Sequence, residues 1–426
     1  MIEIYNNPST KEWPRLSKRS MVQENSAIEN SVKEIIESVR CDGDQAVKRL
    51  TNDIDHVLLA NYTVGQAEIK VAADMVAPEI KRAISIAYEN IKKFHSAQRF
   101  VPIEVETSPG VKCWQRAVPI ERVGLYVPSG SAPLFSTVLM LAVPASVARC
   151  PNVVLCTPPD TEGRVAPEIL YTAALCGVER IYKIGGAQAI AAMAFGTKTI
   201  EKVDKIFGPG NRYVTAAKQL LGFSQVAIDM PAGPSEVIIM ADGSANADFV
   251  AADILSQAEC GADSQAIVVC HSMDFAAKIN IAIAEQLPFL ARYTTVLETL
   301  VNSRIIVFKE RAQAIDFTNY YAGEHLIIAT EDPWAVAEKI TTAGNILVGH
   351  YTPESAGDYV SGSNHTMPTS GWARSMSGVN LDSFMRKITC QEITREGLQS
   401  ITPTIVAMAC GEGLTAHATS AQIRIR

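Results

Sequence analysis

Apolar and polar residues change their spacing along this chain, and each change marks a different kind of element. Between Ala27 and Asn52, Ile28, Val32, Ile35, Ile36 and Val39 recur at helical intervals, with an acidic loop at Cys41-Asp42-Gly43-Asp44. A longer helix is predicted from Pro78 to about Gln98. Ile80, Ile84, Ala87, Ile91 and Phe94 form its apolar stripe and Pro78 sits in its first turn, where proline is tolerated. The first twenty residues carry Pro8 and Pro14 without a period and predict an irregular arm packed on another part of the molecule.

From Val123 to Asp242 the texture alternates: short apolar runs give way to helical ones, with glycine or proline at each junction. Strands are predicted at Val123 to Val127, Val153 to Cys156, Arg180 to Ile184 and Lys205 to Phe207. Helices are predicted at Phe135 to Ala148 (bent or ended at Pro144), Pro167 to Cys176, Ala187 to Ala194 and through Val214 and Leu220. This is the order of βαβ units, which place their loops at the carboxyl ends of parallel strands, where open sheets bind ligands. No G-x-G-x-x-G follows any of these strands. The turns Gly185-Gly186 and Gly208-Pro209-Gly210 could still aim backbone N–H groups at an anion, or be tight turns and nothing more.

A second alternating block predicts strands at Val237 to Met240, Gln265 to Val269, Arg304 to Val307, His325 to Ile328 and Asn345 to Val348, hence a second sheet. The loop Met230 to Glu236, with two prolines and a glycine, reads as a rigid hinge between the blocks. After Gly371 the pattern becomes a helical tail with glycine breaks and a basic, strand-like tip, with too few apolar residues for a core of its own.

Composition narrows the function. Apolar residues make up 47% of the 426 and charged residues 19%, and the net charge of -7 with scattered basic residues argues against a nucleic-acid partner. The longest apolar run, Val138 to Ala148, is interrupted by Pro144 and too short for a bilayer, so no membrane span is expected. The N-terminus lacks a signal-peptide layout, and nine cysteines without regular spacing predict free thiols and a cytoplasmic setting.

Chemistry concentrates in a few polar islands. In Ser256-Gln257-Ala258-Glu259-Cys260-Gly261, residues 257 and 260 are three apart and share one helical face, so both could reach one metal ion; equally, Cys260 could be a small core residue. Partners would come from Gly323-Glu324-His325, from Asp358 and His365, and from the stretch Glu412 to His417. Glu324 beside His325 is a workable acid and base pair near neutral pH, though it could be a solvated carboxylate beside a core imidazole. Asp358 and His417, with Gln257 and Cys260, would make an N/O/S set typical of zinc. His56, His95, His271 and His350 have no evident chemical partner.

Taken together these islands resemble the histidinol dehydrogenase family, the NAD-dependent enzymes of the last two steps of histidine biosynthesis. The resemblance runs from about Ala27 to the C-terminus. It is carried by Gly124-Leu125-Tyr126-Val127-Pro128, Gly185 to Ala191, Phe207 to Asn211, Asp229 to Glu236, Gly323 to Leu326, Ser355 to Tyr359, Gly362 to His365 and Leu414 to His417. It implies an α/β fold of two incomplete Rossmann-like parallel-sheet units with an N-terminal helical arm and an extended C-terminal tail, intertwined in a homodimer.

The resemblance also implies roles, residue by residue. Zinc would be held by Gln257, the residue at 260 and Asp358, with His417 from the neighbouring subunit. The substrate L-histidinol would meet those four residues together with Ser235, His325, His365 and Glu412, the last also supplied across the interface. NAD would meet Tyr126, Gln188 and Asn211. Glu324 and His325 would be catalytic: His325 takes the alcohol proton, then Glu324 activates water on the bound L-histidinaldehyde, and two NAD each accept a hydride. The implied division is an arm over 1–22, a discontinuous α/β domain over 23–122 and 236–372, an NAD-binding domain over 123–235, and a tail over 373–426.

One position departs from the family pattern: residue 260, a histidine there, is cysteine here. A thiolate binds zinc well but adds negative charge beside Asp358. Two alternatives stay open, a zinc- and NAD-dependent dehydrogenase of another polar primary alcohol and a catalytically silent paralogue that keeps the fold.

Overall fold

The structure is a computed structural model that describes residues 1–19, 26–129, 132–222, 224–231 and 233–426. Residues 20–22 of the expected arm, Gly130 and Ser131 of the loop after the first βαβ strand, and Ala232 of the expected hinge lie outside the described residues. Its strands are β1 (Glu3–Asn6), β2 (Ile103–Ser108), β3 (Val111–Pro119), β4 (Arg122–Tyr126), β5 (Asn152–Thr157), β6 (Arg180–Lys183), β7 (Lys205–Phe207), β8 (Ala227–Ile228), β9 (Glu236–Ala241), β10 (Gln265–Cys270), β11 (Arg304–Val307), β12 (His325–Ala329), β13 (Asn345–Val348) and β14 (Met385–Ile393).

Two parallel sheets carry the architecture. One has five strands in the order β6-β5-β4-β7-β8 and the other six in the order β1-β11-β10-β9-β12-β13. In each, the chain runs outward on one side of a central strand and then returns to the other, the Rossmann-like reversal that leaves a crevice at the sheet edge. The central strands β9 and β10 are buried at all six positions. Continuous apolar runs of this kind belong to parallel strands covered on both faces, and each buried Ile or Val contributes about 1.5–3 kcal/mol.

The covering helices differ from expectation in one respect. Val32, Ile35, Val39, Ala46 and Val47 cluster with Tyr126, Val154 and Ile190, and Ile84 and Ile91 cluster with Leu125 and Val127. Residues 26–97 therefore pack on the five-stranded sheet, not on the six-stranded sheet with which the resemblance grouped residues 23–122. Their apolar stripes alone fit either sheet, and tertiary contacts decide between them. The six-stranded sheet is covered by helices Ala247–Glu259, Met273–Gln286 and Tyr293–Asn302 on one face, and by Trp13, Leu16 and helix Arg311–Tyr321 on the other.

Other elements also correct the sequence reading. The arm is not irregular: β1 adds to the edge of the six-stranded sheet by pairing with β11, and a short helix follows at Trp13–Leu16. The acidic loop expected at Cys41 to Asp44 shrinks to Gly43, at φ 54°, between helices Ser26–Asp42 and Asp44–Asp55. Helix Phe135–Ala148 runs through Pro144. A third, antiparallel sheet, β14-β3-β2, was not foreseen. The tail's last element is helix Thr415–Gln422, not a strand, and it packs mainly on helix Arg395–Gly411.

Candidate active site

Glu324 and His325 stand at the amino edge of the six-stranded sheet. Helix Arg311–Tyr321 ends on Ala322 in a left-handed conformation, which turns the chain through Gly323 and Glu324 into β12. Both side chains are buried. The N–H of Glu236, first residue of β9, donates to Oε2 of Glu324 at 2.9 Å, while Oε1 lies 3.8 Å from Nε2 of His325. Burial, with the negative charges of Glu236 and Asp358, pushes the Glu324 carboxyl well above the usual carboxylate range. Burial, with neighbouring His365, brings His325 down to about 3. His325 is therefore a neutral imidazole at neutral pH, able to accept a proton.

His325 (Nδ1) and three further side chains bury polar atoms that have no hydrogen-bond partner: Gln257 (Oε1 and Nε2), Glu354 (Oε2) and Asp358 (Oδ1). One ligand atom each from His325, Glu354 and Asp358 lie within 4.8 Å of one another. Glu354 and Asp358 are four apart on helix Glu354–Tyr359 and so share a face. That helix packs on helix Ala247–Glu259, whose Asp253 accepts from the Glu354 N–H. Gln257 follows Asp253 by one turn on the same side. Burial, then Asp358, Glu324 and Asp253, pushes Glu354 well up, and burial pushes Asp358 up to about 7. Each unpaired buried polar atom costs about 1–3 kcal/mol. A divalent cation among these atoms would satisfy the orphaned oxygens and remove the carboxylates' reason to stay protonated, so the residues fit a metal.

The remaining expected site residues divide. His365 joins the cluster: its Nδ1 lies 3.0 Å from the Asp358 carbonyl and its Nε2 3.4 Å from Oγ1 of Thr137, on a helix of the five-stranded unit. Burial brings it down to about 4. Ser235 immediately precedes β9, its carbonyl accepting from the Gln265 N–H. Cys260 caps the end of helix Ala247–Glu259, exposed as a residue, with Sγ 4.0 Å from the Ser256 carbonyl. Its sulfur end is nonetheless crowded, and desolvation, followed by the charges of Glu354, Asp358 and Glu324, pushes the thiol up. Cys260 is not in the group of His325, Glu354 and Asp358. Glu412 and His417 are exposed on the tail.

The three residues expected at the cofactor sit at the carboxyl edge of the five-stranded sheet. Tyr126 ends β4, and its hydroxyl accepts from the Gly186 N–H at 3.0 Å. Gln188 is fully buried, donating to Asp55 at 3.2 Å and leaving Oε1 unpartnered. Asn211 is exposed and caps helix Arg212–Gly222 by accepting from the N–H groups of Tyr213 and Val214 at 3.0 and 3.1 Å. Gly208, at φ 127°, lies so close to the Tyr126 carbonyl that any Cβ would collide with it, so the β4 and β7 loops meet there. A buried ion pair, Lys218 with Asp229, holds this loop, Lys218 donating to the Gly208 carbonyl and Asp229 accepting from its N–H.

Sequence reasoning missed Glu354, Asp253 and the support behind Glu324. Glu354 and Asp358 at i, i+4, and Asp253 and Gln257 at the same spacing, were legible signals. A glutamate after Pro353 reads locally as an ordinary first-turn acid. The pair Arg19 and Glu236 had no local signal at all.

Comparison with known proteins is consistent along the whole chain. The family model described as histidinol dehydrogenase matches residues 18–425. Histidinol dehydrogenase of Bacteroides thetaiotaomicron is 52% identical, covering 100% of this chain and 99% of its own. That of Vibrio parahaemolyticus is 47% identical, covering 99% and 97%. The crystal structure of histidinol dehydrogenase from Elizabethkingia anophelis superposes with a TM-score of 0.97 at 49% identity, covering 100% of this chain and 98% of its own.

Proposed function

Because the chain belongs to the histidinol dehydrogenase family, oxidoreductases of histidine biosynthesis, we propose that it oxidises L-histidinol to L-histidine with two NAD, zinc holding the substrate. The observation that carries this reading is the set of buried, unpartnered atoms of Gln257, Glu354 and Asp358 beside a neutral His325. Zinc bound there would supply positive charge that orients the substrate's amine and imidazole nitrogens, and NAD the acceptor for each hydride.

The chain's own residues do the rest. His325 takes the alcohol proton as the carbinol carbon gives up hydride, leaving L-histidinaldehyde bound. Glu324, once ionised, accepts a proton from water as the water oxygen bonds to the aldehyde carbon. The hydrate then loses a second hydride and a proton and leaves as the carboxylate. His365 and Ser235 line the substrate, and Tyr126, Gln188 and Asn211 receive NAD in the unit spanning 123–235. Cys260 lies at the rim of the metal cluster.

The tail supports a homodimer in which Glu412 and His417 complete the neighbouring site. Its helices expose Met408, Leu414 and Ile423 and find little to pack against within their own chain. A cytoplasmic location agrees with nine free cysteines, and among the described residues no helix is long and apolar enough to cross a membrane. The test is NAD reduction by purified protein with L-histidinol. Activity that a chelator abolishes and zinc restores supports the reading; turnover only with a different alcohol, or with none, contradicts it.

A further inference from the structure

Position 260 raises a question that the fold answers with a different residue. We propose that Glu354, not Cys260, supplies the second anionic metal ligand of this chain, together with Asp358 and the neutral amide of Gln257; this rests on the reading of that cluster as a metal site.

Three observations converge on Glu354. It is 2% exposed, yet Oε2 has no partner. It stands one turn before Asp358 on one short helix, so the two carboxylates face the same point, within 4.8 Å of each other and of a His325 ring nitrogen. Its backbone is pinned by Asp253, four residues before Gln257, so the two helices hold their donors in fixed relation. Cys260 is placed differently. It caps the helix end, and its sulfur, although desolvated near the same carboxylates, lies 4.0 Å from the Ser256 carbonyl and outside the group.

Charge and coordination agree with this assignment. Two carboxylates balance a dication, and a thiolate would add a third negative charge to the same small volume. A ring nitrogen bound to metal could not also accept a proton, so the base role of His325 leaves the carboxylates and Gln257 as the chain's donors. Carboxylate and amide oxygens bind Zn2+ and Co2+ at ordinary distances, so no exotic geometry is required.

The test uses the full chain loaded with Co2+, and Zn2+ affinity measured by competition with a chromophoric chelator, in wild type, Glu354→Gln, Glu354→Asp, Cys260→Ser and Asp358→Asn. The wild-type cobalt spectrum should lack sulfur-to-cobalt charge-transfer absorption and should not change in Cys260→Ser. Glu354→Gln should weaken zinc about tenfold or more, with part of the loss recovered in Glu354→Asp. A charge-transfer band that disappears in Cys260→Ser overturns the proposal even if the Glu354 variants fail to fold. Weakened binding in Asp358→Asn with none in Glu354→Gln overturns it alone, whereas unchanged binding in both overturns the underlying metal site as well.

Discussion

Arg19 donates to both carboxylate oxygens of Glu236, at 2.6 and 3.0 Å, and so ties the N-terminal arm to the first residue of β9. The same guanidinium donates to the Tyr321 carbonyl at 2.8 Å and stacks 4.2 Å above the Tyr321 ring, just upstream of Glu324. Glu236 accepts further from the Ser370 N–H and gives its own N–H to Glu324. The arm thus braces the turn that carries Glu324 from behind. Burial raises the Glu236 carboxyl, and Arg19 and the Ser370 N–H work against that rise.

Arg19→Ala should therefore destabilise the protein by on the order of 3 kcal/mol, because it leaves a buried charge unpaired. Denaturant unfolding checks this, and adding Glu236→Gln should recover part of the loss. A change indistinguishable from wild type would mean that the arm is not a brace.

Glu324 and His325 should separate the two oxidations. His325→Asn should lower oxidation of L-histidinol by about 10²- to 10⁴-fold. Glu324→Gln should chiefly lower oxidation of supplied L-histidinaldehyde, the step that needs activated water. Equal losses on both substrates from both variants would contradict the division of roles.

The metal cluster predicts a pH-dependent cost. Burial holds Asp358 up to about 7, above its unfolded value. A raised carboxyl adds stability that is present below the unfolded pKa and lost as pH rises through about 7, so the metal-free protein bears the full cost of the buried charge above that. Asp358→Asn should raise the Tm of metal-free protein by about 2 °C or more at mildly alkaline pH. The gain should shrink as pH falls from about 7 towards about 5. With saturating zinc the sign should reverse, because a ligand is gone. Thermal melts with and without chelator decide it; a gain independent of pH would contradict the assignment.

Tyr126→Phe removes the acceptor for the Gly186 N–H at the start of helix Gly186–Phe195. The KM for NAD should rise about fivefold, the loss of one hydrogen bond, with zinc affinity unchanged. Steady-state kinetics and chelator competition read the two separately, and a change in zinc affinity without one in KM would contradict a role at the cofactor.

The parts of this fold legible in the sequence were those where local pattern and tertiary environment agree. After a polar first residue, β9, β10 and β12 are apolar because both their faces are covered, and their runs read as strands at once. β1 was hidden because its partner, β11, lies some three hundred positions away and its polar residues Glu3 and Asn6 break any run. β2 is exposed at five of its six positions, so no hydrophobic face announced it; long-range pairing of β3 with β14 sets that sheet. Of the candidate site, Glu324, His325, Asp358, His365 and Gln257 were found and gather in space. Glu354 escaped because its local setting, after a proline at a helix start, already has an ordinary explanation. Glu412 and His417 were singled out too, but within one chain they are exposed on the tail.

The most direct measurement is the ratio of NADH formed to L-histidine released when purified, zinc-loaded protein turns over L-histidinol to completion. Two NADH per histidine are expected, with no free aldehyde accumulating. One NADH per substrate with aldehyde released, or no NADH at all, would contradict the proposed function.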